Sequence, residues 1–266
     1  MANLPILGPL QLVYFWFKNR SRRKMISNWA ASKGLQFAPD VKTFSPPENR
    51  HGHEDASDFA KHSDRAQKIF FRMFGMSKIQ ASYPQFAANR FRGDWQTDKN
   101  ICWGEVGGKT VIVWDTVFYD LDLSNDDWTE GMYTSILVLT DTPIHRTLIA
   151  PNKLFKRLSS FGIEDGRGTF SMSTVKFELE AFNKAYRVRG QDPKWTFDII
   201  SQEMIDWLME NRGHTIELAA GGSMISTWFT LTPDRINQQL DFATKFLDHI
   251  PEDHQHSEDG PAETEK

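Results

Sequence analysis

A single cysteine, Cys102, stands among 266 residues, so no internal disulfide can form. Burial as a small hydrophobe in a strand is the ordinary fate of such a residue, and a reducing compartment is the one it favours. The familiar catalytic loops are also missing. No Gly-x-x-x-x-Gly-Lys-Ser/Thr cradle exists for phosphate, and no Gly-x-Ser-x-Gly presents a nucleophile. The Gly-x-Gly at Gly166–Gly168 leads into no nucleotide-loop pattern. The net charge of −4 sets up no global field for nucleic acid or for an acidic substrate. Low-complexity repeats and a repeated strand-helix-strand rhythm are absent too, which excludes a doubly wound sheet.

Long hydrophobic runs are scarce, and the one near the start is short. Leu4–Phe17 is apolar apart from Gln11 and ends in Tyr14-Phe15-Trp16-Phe17. As a helix its 14 residues would extend about 21 Å, against roughly 30 Å of hydrocarbon core. Pro5 and Pro9 interrupt its beginning. Positive charge follows the run instead of preceding it, which is not the order of a secretory signal. Lys18, Arg20, Arg22, Arg23 and Lys24 come with no acid anywhere in residues 1–24, whereas residues 251–266 hold six acids against Lys266. Aromatics at headgroup level beside a polybasic segment suit an anionic lipid surface. Tyr14, Trp16, Phe17, Lys18, Arg20, Arg22, Arg23 and Lys24 are therefore the expected membrane contacts, on a helix continuing through Met25, Ile26, Trp29 and Ala30 to Gly34. Three other readings stay open: a soluble helix packing Leu12, Val13 and Trp16 on the core, a shortened membrane span, and a run that binds a protein partner.

Polar residues with Pro39, Ser45-Pro46-Pro47 and Gly52 make a linker of residues 35–56. It contains His51-Gly52-His53-Glu54-Asp55, the His-x-His-x-Asp spacing that resembles the zinc ligands of metallo-β-lactamase-type hydrolases. Ala56 stands where that family has another histidine, and no apolar strand precedes the motif, so a solvated loop is the better reading. Asp58–Phe74 has a helical apolar period ending at Gly75. Asn89–Trp95, Ile101–Val106, Lys109–Tyr119, Tyr133–Leu139 and Thr147–Ala150 read as strands, with Gly107-Gly108 turning a hairpin. Asp120–Glu130 is an acidic loop. Counted from Asp120, its sixth and twelfth residues are Asn125 and Gly131, where a calcium loop needs Gly and Glu, so no calcium site is expected. Pro151–Phe161 reads as a helix.

The last third is the most consistent. Asp192-Pro193 and Ser201 each start a helix, and Gly213 suits the residue just past a helix end. Thr215–Thr230 forms a hairpin about Gly221-Gly222. Thr232 caps a final helix with Pro233 at its first position, and Ile236, Leu240, Ala243, Leu247 and Ile250 make its apolar stripe before Pro251. The fold expected is α+β: a largely antiparallel sheet of hairpins packed by several helices and closed by a C-terminal one. Its parts are an anchor over 1–34, a linker over 35–56, one domain over 57–250 and an acidic disordered tail over 251–266.

Glu180-Ala181-Phe182-Asn183-Lys184-Ala185-Tyr186-Arg187-Val188 resembles a Glu-x-Phe-Asn-x-x-Tyr/Phe-x-Val pattern. That pattern is associated with an uncharacterised, mostly actinobacterial family of membrane-anchored proteins. The resemblance extends from about Asn19 to Pro251 and takes in the basic segment, the Gly-Glu-x-x-Gly hairpin at Gly104–Gly108, Ala150-Pro151 and Ile250-Pro251. It implies an anchored soluble domain and names no reaction, no cofactor and no functional residue. Glu180, Phe182, Asn183 and Tyr186 are its signature, either a surface site or a folding device in which Phe182 and Tyr186 are core and Asn183 caps a turn. The function expected is a non-catalytic membrane-surface domain on the cytoplasmic side, binding a lipid or protein partner and no nucleic acid. A metal-dependent hydrolase using His51, His53 and Asp55 is the alternative.

Overall fold

The structure is a computed structural model that describes residues 9–45, 47, 79, 83–86, 95–122, 127–140, 144–152, 172–227 and 230–251. Nine strands form one sheet: β1 (Gln36–Asp40), β2 (Trp95–Val106), β3 (Lys109–Asp122), β4 (Asp127–Leu139), β5 (Thr147–Pro151), β6 (Ser173–Val175), β7 (Tyr186–Gly190), β8 (Thr215–Ala219) and β9 (Gly222–Ser226). Their spatial order is β1-β2-β3-β4-β9-β8-β5-β7-β6, and every pairing is antiparallel. The helices are α1 (Pro9–Ser32), α2 (Glu180–Ala185), α3 (Pro193–Ile199), α4 (Gln202–Glu210) and α5 (Pro233–Asp248). The α+β antiparallel architecture is the one the sequence implies.

Local chemistry explains the element ends. Gly107 and Gly108, at φ +59° and +76°, make the two-residue turn of the β2–β3 hairpin, because both central positions of that turn need positive φ. Gly108-Lys109-Thr110 thus leads from this turn into β3. Asp192, Ser201 and Thr232 each accept a backbone N–H as N-caps, and Pro193 and Pro233 occupy the first helical turn behind them. Gly213, at φ +104°, lies two residues past the Asn211 cap, one position later than the helix end expected of it.

Two hydrophobic layers sandwich the sheet. On one face, α1, α2, α4 and α5 bring Ile26, Trp29, Phe182, Leu208, Ile236 and Phe246 onto Val111, Val113, Ile136, Ile216 and Ile225. On the other, Ile79, Tyr83 and Phe86 pack on Ile101, Trp103, Ile112, Trp114 and Met224. Strands covered on both sides read as nearly continuous apolar runs, which is the character of Val111–Trp114.

Three expectations change. The linker expected over residues 35–56 is sheet at its start: Leu35 is buried, and Gln36–Asp40 pairs with Lys99–Trp103 as an edge strand. The polar run hid it, since an edge strand of five residues needs only alternate positions covered, here Ala38. Asp120–Glu130 is mostly not a loop, because the β3–β4 ladder continues to Asp122↔Asp127. Finally, β2 begins at Trp95 and runs unbroken through the stretch read as a gap before Ile101, with a bulge between Lys99 and Cys102 where Asn100 sits at φ +52°. The helices expected at Asp58–Phe74 and over most of Pro151–Phe161, and the tail beyond Pro251, lie outside the described residues.

Candidate functional site

The first helix has two ends with different environments. At its inner end, Ile26, Trp29 and Ala30 are buried in the core, and the Trp29 indole N–H donates to Asn237 of α5 at 3.1 Å. One turn before Ile26, Arg22 reaches into the sheet. Its Nε and Nη2 each donate to an Asp115 carboxylate oxygen at 2.7 Å, a two-pronged pair, and its Nη1 donates to the Leu231 carbonyl at 2.9 Å. Asp115 also accepts from Thr134 Oγ1 at 2.8 Å and from the Asn100 amide at 2.9 Å. Leu231 N–H in turn donates to Thr134 Oγ1 at 3.0 Å. The Arg22 side chain is 12% exposed and that of Asp115 2%. The bulge at Asn100 exists where this geometry needs it: the positive φ, which asparagine tolerates, turns the amide onto the carboxylate.

This removes Arg22 from the expected membrane contacts. A helical spacing of four from Ile26 sets it on the inner stripe, and Asp115 claims its charge. Arg23 and Lys24 are exposed, as is Arg20. Tyr14, Trp16, Phe17 and Lys18 lie within α1, but their side chains are outside the described residues. By helical period, Lys24 and Arg20 share one stripe, with Arg23 beside it. Sequence reading missed Asp115, Asn100 and Thr134. The signal was there for Asp115, a carboxylate inside the apolar strand run Val111–Val117, because a buried charge demands a partner.

Cys102 lies beneath this network, fully buried. Burial pushes its thiol up to about 12, the Asp115 carboxylate adds to the rise and Arg22 opposes it. It is a packed hydrophobe and not a nucleophile.

Phe182, Asn183 and Tyr186 of the signature at residues 180–188 make their contacts within the fold. Phe182 and Tyr186 are buried, with ring centres 5.4 Å apart, and Tyr186 Oη donates to the Leu208 carbonyl at 3.3 Å. Asn183 closes a turn on Phe177, accepting its N–H at 3.0 Å and donating to its carbonyl. Glu180 is exposed and pairs with Lys184 at 2.8 Å. Of the two readings, the folding device is the one the contacts describe.

A cleft of ≈ 380 Å³ opens between α4 and α5, lined by Trp207, Asn211, His214, Gln238, Gln239, Asp241, Phe242 and Lys245. Its floor is a column of rings. His249 lies 4.9 Å from Trp207, Trp207 4.6 Å from Phe242, and Phe242 3.8 Å from His214. His214 Nδ1 meets Gln239 Nε2 at 3.1 Å. Trp207 thus packs against both Phe242 and His249. Burial lowers His214 to about 4, with the Gln239 contact working the other way. The folded state then takes up this proton only below about pH 4, the unfolded state already below about 6.5. Stability is therefore whole above pH 6.5 and falls as pH drops through that window, by on the order of 2 kcal/mol. Urea unfolding at pH 7 and pH 4.5 should show His214→Gln losing less on acidification than the unmodified chain. Equal losses would assign the acid sensitivity elsewhere.

Among the described residues no group of three or more His, Cys, Asp or Glu is arranged to hold a metal ion. His51, His53 and Asp55 lie outside the described residues. No described helix is long and apolar enough to cross a membrane.

No family model matches the chain, and no curated protein does. Among solved structures, it is similar to the crystal structure of the mycobacterial trehalose monomycolate transport factor A, TtfA. The identity is 12%, the match covers 87% of this chain and 97% of that one, and the TM-score is 0.48.

Proposed function

We propose that the protein is a non-catalytic domain that works at an anionic membrane surface, on the cytoplasmic side, held there by the outer stripe of α1. The observation that carries this reading is the continuity of α1. One helix of 24 residues, about 36 Å long, joins an aromatic and basic segment to a clamp in the middle of the sheet. Leu12–Phe17 is apolar at six successive positions, so apolar residues go fully round the helix. A single protein surface covers one side of such a helix and leaves the rest needing an apolar neighbour. The exposed Arg23 and Lys24 next along the helix supply the charge that anionic headgroups attract, at about 1 kcal/mol for each basic residue near the surface. Interfacial helices combine these features, with aromatics at the boundary and bases towards the headgroups. The partner in this reading is lipid, with any protein partner met at the membrane.

Vesicle flotation tests it, and the clamp decides which deletion is informative. Removing residues 1–24 would take Arg22 away and mix lost anchoring with lost folding. Removing residues 1–18 leaves the clamp in place. The full chain should float with anionic vesicles at low salt and be released at high salt, where surface charge is screened. The 1–18 deletion should stay at the bottom of the gradient while keeping its unfolding transition. Reversing both exposed charges, Arg23→Glu with Lys24→Glu, should lower the bound fraction by roughly tenfold or more. Equal flotation of the deletion and the full chain would refute the reading.

A further inference from the structure

Two helix faces and a loop build the cleft between α4 and α5. Trp207 of α4 and Asn211 at its cap lie one turn apart, and Gln238, Asp241 and Lys245 recur at three and four along α5, so each set shares a face. Beyond Asn211 the chain turns at Gly213, φ +104°, and sets His214 against Gln239 and Phe242 of α5, just ahead of β8. Phe242 is buried and closes the bottom, 3.8 Å from the His214 ring centre and 4.6 Å from that of Trp207. The enclosed ≈ 380 Å³ lies at the small end of the range for sites that take one small molecule.

The protein itself uses only part of the hydrogen-bonding capacity around this space. His214 Nδ1 meets Gln239 Nε2 at 3.1 Å, and Asn211 Nδ2 donates to the Trp207 carbonyl at 2.9 Å. Among the described residues, His214 Nε2 and Asn211 Oδ1 then have no partner, and Gln239 Oε1 is buried without one. An amide oxygen in that position is a cost to folding unless something else supplies a donor. Facing helices kept for packing alone would carry apolar side chains here instead.

The lining carries no net charge. Burial lowers His214 to about 4, so its ring is neutral at pH 7. Asp241 and Lys245, one turn apart, pair at 2.9 Å and answer each other's charge. An ion entering the cleft would give up hydration without meeting a spare opposite charge. Donors and acceptors are instead mixed. With Nδ1 accepting from the Gln239 amide, Nε2 of the neutral His214 ring carries the proton and donates, while the Asn211 and Gln239 oxygens accept. Towards the mouth, Gln238 and the Asp241–Lys245 pair offer both kinds side by side. A hydroxyl donates and accepts through one atom, so several hydroxyls on one compact ring match this lining, with the carbon skeleton against Trp207 and Phe242.

We propose that the α4–α5 cleft binds a small uncharged polyol of the size of a single sugar ring, with His214, Asn211 and Gln239 meeting its inner hydroxyls and Gln238, Asp241 and Lys245 those at the mouth. Nothing in this depends on α1 or on a membrane, since the C-terminal third alone forms the site. Neighbouring atoms screen Gln239 Oε1 from water, so it gains a donor only as the amide turns towards the ligand. His214 feels that turn through its bond to the same amide. With no charge pairing to draw on, affinity falls in the millimolar range, where preorganisation and hydrogen bonds decide the outcome.

NMR of the full chain, labelled at the histidine ring nitrogens, reads the site, and His214→Gln identifies the His214 signals by their loss. The probes are D-glucose and myo-inositol, both uncharged, with sodium acetate and ammonium chloride as charged comparisons. The result expected is a saturable shift of the His214 ring signals with at least one polyol and with neither salt. Asp241→Ala and Gln239→Met should each weaken that binding roughly tenfold, the scale of one or two lost hydrogen bonds, while the urea unfolding transition is kept. Asp241 is exposed, so a loss of binding there does not come from a damaged core. Absence of a saturable shift with both polyols would make the cleft a water-filled gap between helices. Saturation by acetate or ammonium at concentrations comparable with the polyols would assign a charged ligand, and unchanged affinity in both variants would put the polyol elsewhere on the surface. Each of these three results overturns the proposal.

Discussion

Replacing Arg22 by alanine should cost about 3–5 kcal/mol of unfolding free energy, the range for removing one partner of a buried ion pair. The carboxylate left behind is 2% exposed and would keep only the Thr134 hydroxyl and the Asn100 amide as donors. Two neutral hydrogen bonds stabilise a buried charge far less than a two-pronged guanidinium. The damage should also spread, because Nη1 of Arg22 ties down the Leu231 carbonyl just ahead of α5. Arg22→Lys keeps the charge but loses the fork, so its cost should be intermediate. Arg22→Met with Asp115→Leu should recover part of the loss, since an uncharged pair of similar volume carries no desolvation cost. The recovery stays incomplete because Asn100 and Thr134 then lose their acceptor. Urea unfolding of the single and double variants, assembled as a cycle, gives the coupling energy directly. A coupling near zero would mean that α1 is held by Ile26 and Trp29 alone.

Gly222→Ala should be comparably damaging, at about 3 kcal/mol or more. Gly222 has φ +151°, a region that is almost exclusively glycine's and costs other residues on the order of 1–3 kcal/mol. A Cβ at this position would also overlap the Val138 carbonyl oxygen of the neighbouring strand. Neither strand has room to yield. β9 is paired on its other side by β8, and β4 on its other side by β3, so a local shift must break ladder hydrogen bonds in the middle of the sheet. Gly34→Asn is the control. At φ +69°, with nothing near a new Cβ, it asks only for a left-handed asparagine, and its cost should stay within about 1 kcal/mol. Thermal unfolding of the two variants side by side distinguishes backbone crowding from a general intolerance of glycine replacement.

The C-terminal third was legible because its signals are local. Asp192, Ser201 and Thr232 cap helices through bonds that reach three residues along the chain, and Pro193 and Pro233 act within one turn. The hairpin around Gly221 was equally local, although the position that tolerates no side chain is Gly222. Its restriction comes from β4, some eighty residues earlier. Edge strand β1 escaped notice because it depends on a partner in β2, about sixty residues away. The acidic stretch from Asp120 was misread for a related reason. Composition says loop, but the pairing of β3 with β4, set by residues before the stretch, runs on to Asp122↔Asp127.

The sequence by itself determined the α+β class, the antiparallel hairpins, the helix ends and the charge asymmetry of the first helix. These depend on periodicity, capping and turn chemistry, all written within a few consecutive residues. Tertiary structure alone decided what Arg22 does. As one of five bases after an apolar run, it is indistinguishable in sequence from Arg23, its neighbour. Helical phase turns one of them inward and the other out, and the Asp115 carboxylate, 93 positions along the chain, converts the inward one from a surface charge into the bolt that holds the helix to the sheet.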